Sequence, residues 1–262
     1  MKKKIAMLLG ATMLMGAVLT GCGSETASNK PLVYAVEAGS AGEAVAQEKG
    51  FEYNSVAAQA DALMEVASGT SDAAIIDLLM AGAMIGEGTS YPNLTLGEEL
   101  TKEEYGIGCR KGSDLVSYIN AVLAESYADG SMLEIAKKYG VHESLLEQAA
   151  CEYTAAAESD VAYIQGKGTL IVGITDFKPM DYPGENGEWI GFDADMARKV
   201  AEKLGVEAEF IVIDWDNKAM ELDSKNIDVV WNGMTLTDEV KAAMDCTNAY
   251  CNNAQVVVVP AE

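Results

Sequence analysis

Short apolar runs alternate with amphipathic stretches along most of this chain, and that alternation restricts the fold more than any other feature. Residues 32–36, 73–76, 170–174, 210–213, 227–231 and 255–259 are mostly apolar, with many β-branched residues, and each is too short for a helix, which predicts strands. Residues 41–48, 58–67, 115–128, 132–139, 194–204 and 217–222 carry apolar residues at helical spacing. Gly130, Gly140 and Gly205 stand where such helices should stop. Strand and helix in alternation predict an α/β fold of mainly parallel sheets. The segment 142–166, rich in Ala and Glu, predicts a helical connector.

The first 30 residues predict export. Lys2, Lys3 and Lys4 precede an apolar run over 5–19 that is too short for a mature membrane span, the pattern of a signal peptide over 1–21. The sequence Leu19-Thr20-Gly21-Cys22 resembles the lipobox of bacterial lipoproteins, which implies lipidation of Cys22 and attachment to the outer face of the cytoplasmic membrane. Residues 22–30, small and polar, then read as a flexible tether. Among the 262 residues, 18 are Lys or Arg and 41 are Asp or Glu, for a formal charge of −23. That balance excludes nucleic acid as a partner. Because the acids are dispersed over helix faces (Glu98, Glu99, Glu103, Glu104; Glu143, Glu147), they read as solubilising. Cys109, Cys151, Cys246 and Cys251 have no zinc-like spacing; three disulfide connectivities are open to them, and a turn at Asn248 and Ala249 allows a Cys246–Cys251 bridge.

Three motifs over 168–260, GTLIVGITDFKPMDY, GFDADMARKVAEKLG and DVVWNGMTLTDE, resemble the first lobe of the bacterial extracellular solute-binding proteins, family 3. VYAVEAGSAGEA and ADALMEVASGTSDAAIID resemble the second lobe, YGIGCRKGSDL the return to the first, and DGSMLEIAKKYG its closing helix. The resemblance implies a type II periplasmic-binding-protein-like fold with a ligand cleft between two lobes. The halves stand in reversed order, which implies a circular permutation or, as the rival, the joined remains of two tandem domains. On that reading lobe 2 is 31–97, a crossover and the C-terminal part of lobe 1 occupy 98–141, the connector is 142–166, and the N-terminal part of lobe 1 is 167–262. New termini within one interlobe strand would leave a single crossover near residues 96–105.

By the same resemblance, Phe177 and Trp215 would clamp a ligand side chain, and Asp77 would hold an α-ammonium group. Gly39, Ser40 and Ala41 open a helix after a strand, a place suited to a carboxylate, although Ser40 also reads as a plain N-cap. Asn232, Gly233, Met234 and Thr235 follow a strand at its carboxyl edge, where α/β proteins bind ligands. Thr237 and Asp238 read as a helix cap. One departure is marked: Val240 stands where the family pattern TxTxER has a carboxylate-binding arginine. Lys178 and Arg110 are candidate replacement cations. The resemblance implies an amino acid or related small polar solute as ligand, an ABC transporter permease as partner, a monomer, and no metal or cofactor. The alternatives are an enzyme on the same fold, like cyclohexadienyl dehydratase, or a sensory lobe pair. Against an enzyme stand a single histidine, His142, in the connector, and no nucleophile elbow or phosphate loop; Asp181 and Glu185 read as solvated loop acids.

Overall fold

The alternating runs fold as two βαβαβ units, seen in a computed structural model that describes residues 30–261. The expected signal peptide, Cys22 and most of the tether lie outside the described residues. In the first unit, β1 (Val33–Glu37), α1 (Ala41–Lys49), β2 (Glu52–Val56), α2 (Gln59–Ser68) and β3 (Ala73–Asp77) wind three parallel strands, and α3 (Leu78–Met84) follows. β4 (Leu94–Glu99) and β5 (Glu103–Cys109) come next, then α4 (Leu115–Ala128), α5 (Ser131–Tyr139) and α6 (Asp160–Lys167). The second unit consists of β6 (Thr169–Ile174), a hairpin of β7 (Tyr182–Pro183) and β8 (Trp189–Ile190), α7 (Phe192–Leu204), β9 (Glu207–Val212), α8 (Lys218–Asp223) and β10 (Val229–Thr235). It is followed by α9 (Asp238–Ala243), β11 (Asp245–Cys246), β12 (Cys251–Asn253) and β13 (Gln255–Pro260).

Both sheets share one plan. The first runs β2-β1-β3-β13-β4, the second β9-β6-β10-β5-β11, and β12 also pairs with β5. In each, three parallel strands meet one antiparallel strand supplied by a segment that has crossed from the other lobe: β13 lies against β3, and β5 against β10. The expectation of a single crossover is therefore corrected. One crossing joins β4 to β5 and another joins β12 to β13, so residues 255–260, expected in lobe 1, belong to the sheet of lobe 2. The two crossings run side by side as a hinge: Leu100 N–H donates to Gln255 O at 2.8 Å, and Gln255 N–H to the Thr101 hydroxyl at 2.8 Å.

Helix ends follow local chemistry. α1, α6 and α9 begin at Ser40, Ser159 and Thr237, whose hydroxyls accept backbone N–H groups, and α5 and α7 stop at Gly140 and Gly205 in the left-handed region. In α7 the stripe Phe192, Met196, Val200 and Leu204 is buried, each side chain contributing about 1.5–3 kcal/mol.

The connector differs from its expectation. Only α6 and a short 3-10 turn at His142–Ser144 are helical, while 145–159 runs without regular structure. Asp114, just ahead of α4, holds it there: its carboxylate accepts the hydroxyls of Tyr153 at 2.8 Å and Ser159 at 2.5 Å, and the N–H of Val161 at 3.1 Å. These bonds give the segment an alternative to helix, and they hold the Asp114 carboxyl below its usual range against the opposing effect of burial. The four described cysteines are free thiols. Cys246 and Cys251 face different points of β5, opposite Gly108 and Tyr105, so the bridge that the sequence allows is not made.

Candidate ligand-binding site

A cleft of about 370 Å³ lies between the two sheets, within the range of small-molecule sites. Nine of the ten expected residues line it. Gly39, Ser40 and Ala41 enter from the turn after β1, and Asp77 from the end of β3; Trp215 comes from the turn after β9, and Asn232, Gly233, Met234 and Thr235 from β10. All stand at or just past the carboxyl ends of parallel strands, because the helices return behind the sheets and leave those ends open.

The tenth, Phe177, is corrected. It is only 2% exposed, packs edge-on against Tyr105 at 6.3 Å, and lies beneath Gly233. A Cβ on Gly233 would stand 2.2 Å from its ring, and φ there is +56°, so Phe177 shapes the floor from below. Asp193 fixes the same floor by accepting Gly233 N–H at 2.7 Å and the Tyr250 hydroxyl at 2.8 Å. Asp181, expected in a solvated loop, is fully buried; burial and then the neighbouring Asp193 push its carboxyl well above the usual range.

Asp77 is held by the protein itself. Tyr105 donates to Oδ1 at 2.7 Å and Gln255 at 3.1 Å, Asn253 donates there too, and Gln59 donates to Oδ2. Burial, then Glu103, raises its pKa to about 7 against these bonds. Glu103 belongs to the hinge and accepts from Thr235 at 2.9 Å and Gln255 at 3.0 Å. The Ser40 turn resembles a capping box set one residue earlier: Ser40 Oγ accepts Glu43 N–H at 3.1 Å, while Glu43 Oε2 accepts the N–H of Gly39, ahead of the cap, at 2.8 Å.

Three further cleft residues escaped the sequence reading. Glu37, at the last position of β1, is 3% exposed; burial, then Asp77, raises its pKa to about 8, with Lys218 opposing. Lys218 crosses the cleft from α8 and donates to Gly39 O at 2.8 Å and Trp215 O at 3.1 Å, so that it ties one lobe to the other. Asp216 meets Gly39 so closely that a Cβ on Gly39 would lie 2.7 Å from its Cα. The only available signal for Glu37 was its place at a strand's carboxyl end. The candidate replacement cations lie elsewhere: Arg110 is paired with Asp160 and Asp228 and donates to Ile227 O, and Lys178 covers the Tyr182 ring. Val240 itself lines the cleft.

Two α/β lobes, each receiving one strand from across the hinge and enclosing a cleft at their strand ends, form a two-lobe periplasmic-binding-protein fold. The likeness in sequence is carried by one block: residues 170–262 match the bacterial extracellular solute-binding proteins, family 3. The chain is 39% identical over 88 residues to the L-cystine-binding protein TcyJ of Escherichia coli K12, covering 33% of each. It is 36% identical over 118 residues to the arginine-binding extracellular protein ArtP of Bacillus subtilis 168, covering 44% of this chain and 46% of that protein. Among solved structures, an ancestral cyclohexadienyl dehydratase is 36% identical, with a TM-score of 0.32, over 33% of this chain and 36% of its own. The chain thus spans a third to just under a half of these two curated relatives.

Proposed function

We propose that this chain is an exported, lipid-anchored solute-binding protein that closes two lobes on an amino acid or similar small polar solute and delivers it to an ABC transporter permease. The observation that carries the reading is the convergence of Gly39, Ser40, Ala41 and Asp77 from one lobe with Trp215 and 232–235 from the other on a single cleft. The hinge of two adjacent strands suits closure by rotation of one lobe against the other. A permuted chain order supplies the rest of the account. Each lobe has one complete βαβαβ unit and one visiting strand, which supports reading the chain as a single permuted protein.

The test is a thermal-shift and calorimetric screen of the folded domain against amino acids, opines, small amines and sugars, since a ligand that binds only the native state raises its melting temperature. A dissociation constant in the micromolar range or below is expected for at least one compound, and a folded protein that binds none of them overturns the reading. One observation favours an enzyme as a second reading: Glu37 and Asp77 are buried carboxyl groups with raised pKa values, of the kind used for proton transfer. Release of a product from the bound compound would establish it; recovery of the compound unchanged would exclude it.

A further inference from the structure

Two places in this cleft were expected to meet a ligand carboxylate, and neither is open to one. Val240, which the resemblance sets against an arginine of the family pattern, packs with Met234 and Met244 as part of an apolar wall. At the start of α1 the chain's own Glu43 already sits on the Gly39 N–H, its other oxygen held by the Ser55 hydroxyl at 2.6 Å. Lys218 is the single basic residue lining the cleft among the described residues, and its ammonium is bonded to two carbonyls. A carboxylate entering the cleft would also face Glu37, Glu43, Asp77, Asp216 and Glu239.

Hydrogen-bond acceptors, by contrast, are left over. Glu37 Oε1 is buried and makes no hydrogen bond of ordinary geometry among the described residues, although Gln59 and Thr175 lie near enough to its carboxyl to lower its pKa, and Asn232 Oδ1, in a residue only 4% exposed, is likewise without a partner there. A buried acceptor without a donor is costly, and a cationic donor would satisfy both the bond and the charge. Building on the binding reading, we infer that the cleft takes a small organic ammonium ion that carries no carboxylate, its nitrogen between Glu37 and Asn232 and its apolar body along Met234, Val240 and Met244. The ligand class is that of a decarboxylated amino acid, and Glu37 is its principal contact.

Isothermal titration calorimetry on three matched pairs tests this: tyramine with tyrosine, 3-methylbutylamine with leucine, and agmatine with arginine. At least one amine is expected to bind, at least tenfold more tightly than its amino acid. Glu37→Gln, which keeps the shape and removes the charge, is expected to weaken that amine at least tenfold. Val240→Arg, a second variant that leaves the Glu37 site intact, is expected to move the preference at least tenfold toward the amino acid. An amino acid that binds the unaltered protein as tightly as its amine overturns the inference and leaves the solute-binding reading standing. Silence from all six compounds overturns it too, and the wider screen then decides the broader reading alone. A folded Glu37→Gln protein with unchanged amine affinity removes Glu37 from the site.

Discussion

Lobe closure turns on Gly39, and adding one methyl group there is the sharpest test of the cleft. Where the two lobes meet, a Cβ at this position would stand 2.7 Å from Asp216 Cα and 2.8 Å from its Oδ1. The nearest obstacle is backbone, so the lobes must separate by roughly 0.7 Å to restore ordinary contact at about 3.4 Å. That displacement would stretch the Lys218 ammonium bond to Gly39 O from 2.8 Å to the edge of hydrogen-bonding range. A charge-assisted bond of this kind contributes about 1.5–3 kcal/mol, all of it within the closed state. The positive φ of 68° adds about 1 kcal/mol of strain for alanine, but open and closed states share that cost. Gly39→Ala should therefore lower the melting temperature by a few degrees and weaken ligand binding by about tenfold to a hundredfold. Calorimetry measures the affinity, and small-angle scattering with and without ligand measures closure. Affinity within twofold of the unaltered protein, with normal compaction on binding, would refute the argument that the lobes meet at this glycine.

Other outcomes follow from the same geometry. Gly233→Ala would drive a Cβ to 2.2 Å from the Phe177 ring at φ +56°, and should cost about 2–4 kcal/mol in urea unfolding. Glu37 and Asp77 have folded pKa values of about 8 and about 7, above their ordinary range, so the unfolded chain loses these protons first as pH rises; the stability they confer is full below about pH 4 and lost on the way to pH 8. With Asp77 and Lys218 as the charged groups acting on Glu37, the ligand-free melting temperature should fall between pH 5 and pH 8, and Glu37→Gln should flatten the slope. Amine affinity should run the other way and rise over pH 6–9, as Glu37 ionises to meet the cation. Asp114→Ala removes the acceptor that holds Tyr153, Ser159 and Val161 and should cost about 2–4 kcal/mol, with limited proteolysis newly cutting within 145–159.

The sequence was most legible where a strand is buried on both faces. β3, β6 and the apolar part of β10 read directly, because continuous apolar runs leave little else to fold into. β2, with the sequence EYNSV, did not: as an edge strand its side chains are exposed or half-buried, and its hydrogen bonds to β1 leave no apolar trace. β13 was legible as a strand but not as a member of lobe 2, since periodicity records burial and says nothing about which sheet provides it. Phe177 fails for a related reason, an aromatic beside a turn being equally suited to a wall or to the layer beneath it.

The site's chemistry was hidden more deeply, because it depends on which acceptors the fold leaves without donors. Asp77 was expected to meet a ligand ammonium directly, yet Gln59, Tyr105, Asn253 and Gln255 already surround its carboxylate. Two of those donors, Asn253 and Gln255, arrive on the crossing from β12 to β13, more than 170 residues away in the chain. The same crossing therefore forms the hinge and saturates the expected anchor, which shifts the unmet acceptor to Glu37 on the neighbouring strand. Exchanging Asn253 for leucine should release Asp77 from one bond and weaken the division of roles between the two acids. If Glu37 alone anchors the cation, the N253L protein should bind an amine within about threefold of the unaltered one, whereas a tenfold gain would show that Asp77, once freed, competes for the nitrogen.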